Sequence, residues 1–332
     1  MKKFIIKTFL LGCPIFIVIA FPNIFKVKTS GDLGALGLVQ FDPSYRNNVE
    51  VHKVTISETL YCKSVAELQK YNVDDVLVIG DSHAHQPVGF QDYLSEKTNN
   101  SIMTLHHNLD IEASDIFITL LSKRRDLVPK LVIVESGERV FVRRLAKMQI
   151  DTILEIDSIY YAPKFDSKGY IEMAQNFYKI KLGLNNPINH VMLNKDLFTC
   201  KDKERELYFY PGDIFKSTLS DVEVAIENLE MLHNLALQQG VYLIYMVVAD
   251  KYDIYQKFIV DNPYQPNDLL SKGNSFDNLP YFINTKYVLT EAAENGVKDI
   301  YWADDTHLSP VGAKMVADEI ARRLDSLGVL QK

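Results

Sequence analysis

Two hydrophobic periods share the chain. Largely apolar runs at residues 76–79, 102–105, 131–135, 242–248 and 299–302 have the length of buried parallel strands. Between most of them, apolar residues recur at helical spacing. The clearest case is 221–239, where Val222, Ala225, Ile226, Leu229, Leu232 and Ala236 share a face and Gly240 ends the run. A last helix over 310–327 opens with proline and aligns Ala313, Val316, Ile320 and Leu324. Strand and helix in alternation predict an α/β fold: a three-layer α/β/α sandwich with a parallel sheet covered on both faces.

Three stretches break this rhythm. Residues 4–24 are apolar behind Lys2 and Lys3, and about 20 such residues span a bilayer. No small-residue cleavage site follows Phe21, which favours an uncleaved signal anchor over a signal peptide in 1–25. Leu10-Leu11-Gly12-Cys13 also has the look of a lipoprotein box, although the apolar run continues past Cys13. In either case the rest of the chain is expected on the extracytoplasmic side, the periplasm or cell surface, with the basic end in the cytoplasm. Residues 26–72, with Gly31, Gly34, Gly37 and Pro43, are expected to form a stalk and lead-in with a short helix at 65–69. The folded domain is then 73–328. Within it, 140–215 is rich in tyrosine, phenylalanine and charge without strand alternation, which predicts a mostly helical insertion, either roofing the strand ends or packing as an appendage.

Composition narrows the function. At 332 residues and 47% hydrophobic content, the chain can bury a full core. The formal net charge of −7 and the lack of a basic stripe argue against a nucleic-acid partner. In an exported domain Cys62 and Cys200 are the candidates for a disulfide, or else two unpaired thiols.

Candidate chemistry sits at both ends of the domain. Val76-Leu77-Val78-Ile79-Gly80-Asp81-Ser82 is an apolar run that stops at a glycine, with a serine two residues on and Pro87 expected just inside the first turn of a helix. Ser82 is thereby expected at a strand's carboxyl end, where open α/β sheets place their sites. A serine hydroxyl needs a base, and the base needs a third group to hold its tautomer. Both are available in Asp304-Asp305-Thr306-His307-Leu308-Ser309-Pro310.

Together the two segments resemble the SGNH, or GDSL-type, hydrolase superfamily, which places a Gly-Asp-Ser block near the front of the domain and an Asp-His block near the back. The resemblance implies Ser82 as nucleophile and His307 as base. The orienting acid is Asp304 by the usual spacing, or Asp305 by the Asp-Thr-His form of the alginate O-acetyltransferase branch. The oxyanion hole departs from the superfamily pattern. After the second strand comes Leu105-His106-His107-Asn108 without a glycine, and after the third comes Glu135-Ser136-Gly137-Glu138-Arg139, with arginine at the asparagine position. Losing one oxyanion donor costs about 10² to 10³ in rate, so substitutes are needed.

Arg139 and Asn108 are candidates for that role or for substrate binding, beside His85 next to the nucleophile. The segment around Arg139 resembles the matching block of bacterial polysaccharide O-acetyltransferases. So does Ala249-Asp250-Lys251-Tyr252-Asp253-Ile254-Tyr255, which offers Lys251 and Tyr255 as cleft residues or as structural ones. In the alginate enzymes, however, the Asp-Thr-His block precedes the serine block, whereas here it follows.

The resemblance implies no cofactor. A zinc site from His83, His85, His106 and His107 lacks the usual ligand spacing, and no metal is expected. The implied activity is O-acetyl transfer to an exopolysaccharide or cell-envelope glycan, with a carbohydrate polymer as partner and a separate membrane protein supplying the acyl group. The alternatives are a carbohydrate acetyl esterase of the same fold, and a non-catalytic carbohydrate-binding or scaffold subunit.

Overall fold

The computed structural model describes chiefly residues 59–71, 75–106, 111–160, 187–214 and 218–329, with short pieces at 31–33, 41–42 and 44–49 and isolated positions elsewhere. Six strands form one parallel sheet: β1 (Thr59–Cys62), β2 (Val76–Gly80), β3 (Ile102–His106), β4 (Leu131–Gly137), β7 (Tyr242–Val248) and β8 (Phe282–Asn284), in the order β1-β3-β2-β4-β7-β8. Strands β2, β3 and β4 are buried along their whole length, which is why they read as largely apolar runs. Setting aside the edge strand β1, the order is that of a doubly wound sheet, and its direction reverses between β2 and β4. A crevice opens at such a switch point beyond the strands' carboxyl ends.

Helices cover both faces. On one side α1 (Phe90–Thr98), α6 (Lys286–Glu294) and α7 (Pro310–Ser326) pack together; on the other lie α2 (Ala113–Lys123), α3 (Glu138–Lys147) and α4 (Leu219–Gln238). A one-turn helix α5 (Lys251–Tyr255) follows β7. The predicted stripe of α4 holds, with Ala225, Leu229, Leu232 and Ala236 buried and Thr218 capping its first turn.

Two expectations change against this fold, and a third falls largely outside the described residues. Residues 299–302 do not form the fifth strand; Tyr301 makes a single bridge to Leu308, and β8 takes the sheet edge. Of the expected helical insertion over 140–215, most of 161–186 lies outside the described residues; the described part is helical through Lys147, and β5 (Asn189–Met192) and β6 (Glu206–Phe209) pair as an antiparallel ladder. Nor is 26–72 merely a stalk. Thr59–Cys62 extends the sheet, and Leu33 and Tyr45 are buried in the core. Cys62 and Cys200 are buried free thiols, so the disulfide alternative is not realised. Most of 4–24 lies outside the described residues, among which no helix is long and apolar enough to cross a membrane.

Candidate active site

The turn that carries Ser82 is built by what lies under it. Gly80 ends β2, and a Cβ there would collide with the Glu135 carboxylate and with Ala84. The glycine is thus needed for space rather than for an unusual backbone angle. Into that space Glu135, fully buried on β4, accepts a hydrogen bond from the Asp81 N–H at 3.0 Å. Burial, and then the charge of Asp81, push the Glu135 carboxyl well above the usual range. Asp81 caps the following turn of 3₁₀ helix, Ser82–His85, by accepting the His83 N–H at 3.2 Å. Arg144 holds Asp81 from beyond, donating at 3.2 Å to its carboxylate and at 2.8 Å to Ser136. Ser82 is left exposed at the tip. Pro87 falls before α1 rather than inside it, since Gly89 is the cap residue.

The acid–histidine loop is closed at its neck. Tyr301 and Leu308 bridge it, the Trp302 N–H donates to the His307 carbonyl at 3.2 Å, and Ser309 caps α7 through the Val311 N–H at 3.0 Å. A side chain at Gly312 would collide with the Ile300 carbonyl, so Ser-Pro-x-Gly lets α7 start flush against the loop. Within the loop, Asp305 Oδ1 lies 2.5 Å from His307 Nδ1. Asp304, fully buried, has Arg46 Nη2 at 3.0 Å and, among the described residues, no bond to the histidine. Of the two acids, Asp305 meets the histidine. Its partner nitrogen, Nε2, is thereby aimed away from Asp305, and the His307 ring rests on His83 with centroids 5.0 Å apart. The two blocks, 225 residues apart in sequence, meet at the switch point.

The site's charges are lopsided. Burial opposes charge on His307, but the hydrogen bond and charge of Asp305, then Asp32 and Asp81, raise its affinity for a proton above that of free histidine. Asp305 is held well below the usual carboxylate range by His307 and Arg46 against the upward pull of burial. His83, buried and beside His307, is lowered to about 3 and is a neutral imidazole.

The remaining predicted site residues divide. Arg139 donates to Asp213 at 2.9 Å and Asp250 at 3.0 Å, and its guanidinium lies 5.5 Å from the Tyr210 ring centre. It keeps 29% of its side chain exposed, so both structural pairing and solvent contact hold for it. His85 turns toward β3, stacking on His106 at 4.7 Å and meeting Tyr61 edge-on at 5.0 Å. Asn108 and His107 lie outside the described residues. Lys251 and Tyr255 do not line a cleft. Tyr255 is buried and accepts the Tyr301 N–H at 3.3 Å, while Lys251, also buried, donates to the carbonyls of Trp302, Ala303 and Asp305 at 2.7, 2.9 and 3.2 Å. Lys251 clamps the histidine loop from inside the core. Lys251→Met is expected to cost about 3 kcal/mol or more, since three carbonyls lose a charged donor in a buried place, and to depress activity with it. Thermal unfolding of the variant beside the parent checks the stability loss.

Two residues were beyond the reach of motif reading. Asp32 accepts from the Thr306 N–H at 2.8 Å and hydroxyl at 2.5 Å, and lies 3.9 Å from His307 Nδ1. Arg46 joins Asp305 at 2.8 Å as well as Asp304, and sits 4.5 Å above the Trp302 ring.

Among the described residues, two groups bring three donor atoms within 4.8 Å: Asp32, Asp305 and His307, and Glu138, Asp250 and Asp253. In the first, Arg46 and Thr306 already satisfy the carboxylates. In the second, Lys286 stands 3.5 Å from Glu138 and 3.8 Å from Asp253, Arg139 pairs with Asp250, and burial lifts Asp253 to about 11, making it a neutral acid. Both groups are balanced by the chain's own cations and protons.

No protein-family model matches the chain, and no curated protein sequence does. Among solved structures, an acetyl xylan esterase aligns with 11% identity over 75% of this chain and 98% of its own, at a TM-score of 0.28. At that similarity the match bears on neither substrate nor mechanism.

Proposed function

We propose that the chain is an SGNH-type serine esterase that removes acetyl groups from carbohydrate on the extracytoplasmic side of a membrane. The observation that carries this is the Asp305–His307 pair set at 2.5 Å against the turn that presents an exposed Ser82. Ser82 Oγ attacks the acetyl carbonyl while His307 Nε2 takes its proton and passes it to the departing sugar oxygen. Water, deprotonated by the same nitrogen, then attacks the acyl-serine and releases acetate. The Ser82 N–H, at the first position of its turn, serves the oxyanion, because helix-start N–H groups have no partner within the helix.

Transfer to a sugar hydroxyl is the second reading. Tyr210, 43% exposed beside Arg139, supports it by offering an aromatic surface against which an acceptor ring can pack. In that case a membrane protein delivers the acyl group, and the polymer is an exopolysaccharide or envelope glycan. Incubation with acetylated xylo-oligosaccharide, with and without a labelled unacetylated acceptor, separates the two. Free acetate at equal rate in both supports the esterase. Label in the acetylated product at the expense of acetate replaces it with the transferase. A folded protein that yields neither, and no acyl-serine from an activated acetyl ester, overturns both in favour of a binding subunit.

A further inference from the structure

The lead-in segment supplies two charges that this acyl-ester chemistry leaves without a role. Asp32 is fixed rather than draped. Gly31 before it has no room for a side chain against the Asp304 backbone, and Leu33 after it is fully buried. Burial and the charge of Asp305 raise the Asp32 carboxyl above its ordinary range, while the two hydrogen bonds its oxygens accept from Thr306 and the facing His307, whose Nδ1 is 3.9 Å away, favour the carboxylate. That separation exceeds a hydrogen bond, so Asp32 acts through its field.

Arg46 is anchored as firmly. Tyr45 beside it is buried and bonds to Asp299 at 2.7 Å and to the Ala303 N–H at 3.0 Å. Arg46 Nη2 grips the outer oxygen of Asp305, the acid whose inner oxygen holds the histidine. A cation there draws on the charge that stabilises an imidazolium.

We propose that Asp32 and Arg46 are an opposed pair of positioning residues, making the lead-in segment a working part of the active site that sets how readily His307 gives up its proton. The proposal rests on the acyl-ester reading for its catalytic meaning, though not for its test. Asp32 favours the protonated ring, Arg46 the neutral one. The other groups facing His307 are Asp305 on its own loop and Asp81 and His83 on the nucleophile turn; Lys251 lies behind the loop carbonyls. Arg46, through Asp305, offsets part of the pull of Asp32.

The test is an NMR titration of the His307 ring in the full chain carrying Ser82→Ala, which requires no turnover. Asp32→Asn is expected to lower the midpoint by about one pH unit, and Asp32→Ser to do the same. Arg46→Gln is expected to raise it, with Arg46→Lys close to the parent. A merely structural role would not give shifts of opposite sign. An unmoved midpoint in both Asp32 variants, or movement in the same direction for Asp32→Asn and Arg46→Gln, overturns the proposal. If the parent protein proves to have no esterase or transferase activity, the functional reading fails while these shifts still decide the role of the lead-in. In an active protein, the acid limb of kcat/KM shifts with the midpoint.

Discussion

Ser82→Ala is expected to lower kcat on an acetyl ester by roughly 10⁴-fold or more and to abolish the acetyl adduct that intact-mass analysis is expected to show in the parent. The size follows from the role: without the hydroxyl no acyl-enzyme can form, and what remains is the modest catalysis of a polarised carbonyl and bound water. Stability should hardly change. Ser82 is exposed at the tip of its turn, and the hydrogen bonds that shape that turn run through Asp81, His83 and Glu135. Substitution at such a surface position usually moves stability by less than about 0.5 kcal/mol. Loss of activity with an unchanged melting curve marks a nucleophile. Retained adduct in Ser82→Ala would move the chemistry to another residue. The pH profile carries a second signature of the same assembly. Because Asp305, Asp32 and Asp81 stabilise the imidazolium, the unprotonated base is populated only above the ordinary histidine range, so activity should fall off on the acid side at a higher pH than a free histidine would give.

Much of this site could be read in the sequence because its two halves are local. Strand, glycine, turn and serine are contiguous, as are the acids, the histidine and the Ser-Pro-x-Gly start of α7. Each reports its geometry through short-range chemistry. The long β7 run Tyr242–Val248 was visible for the same reason. Strand β8 was not, being only three residues long, while Ile300 and Tyr301 imitate a strand because they are fully buried for another purpose. Tyr301 donates to the Ala249 carbonyl and shuts the loop neck. Lys251 shows a different limit. Its place after a strand's carboxyl end was legible, but whether a side chain there points into the cleft or back into the core depends on contacts 51 to 54 positions away. Asp32 and Arg46 lie further still, 274 and 258 positions from the residues they touch, in a glycine-rich stretch whose charges look solvated. Single-sequence patterns carry no signal for such pairs.

The two adjacent acids give the sharpest contrast in expected effect. Asp305→Asn keeps the shape of the loop but replaces a carboxylate by an amide that can present a donor to Nδ1. The histidine then adopts the wrong tautomer, and kcat is expected to fall by about 10⁴-fold, comparable with loss of the nucleophile. Asp304→Asn should leave the base oriented, because Asp304 touches Arg46 rather than His307. Its cost appears in stability, about 1 to 3 kcal/mol, since a fully buried carboxylate is replaced and a charged partner loses its hydrogen bond. The split between the two variants follows from one geometric fact: both carboxylates share Arg46 Nη2, but only Asp305 also reaches His307 Nδ1. Activity assays and thermal melts on both variants read it directly. If Asp304→Asn were the inactive one and Asp305→Asn kept near-parent turnover, the loop geometry assigned to the acid–base pair would be wrong. A shared loss of both activity and stability in Asp305→Asn alone would instead show that Arg46, deprived of its nearer partner, holds the loop through Asp305 as well as through Asp304.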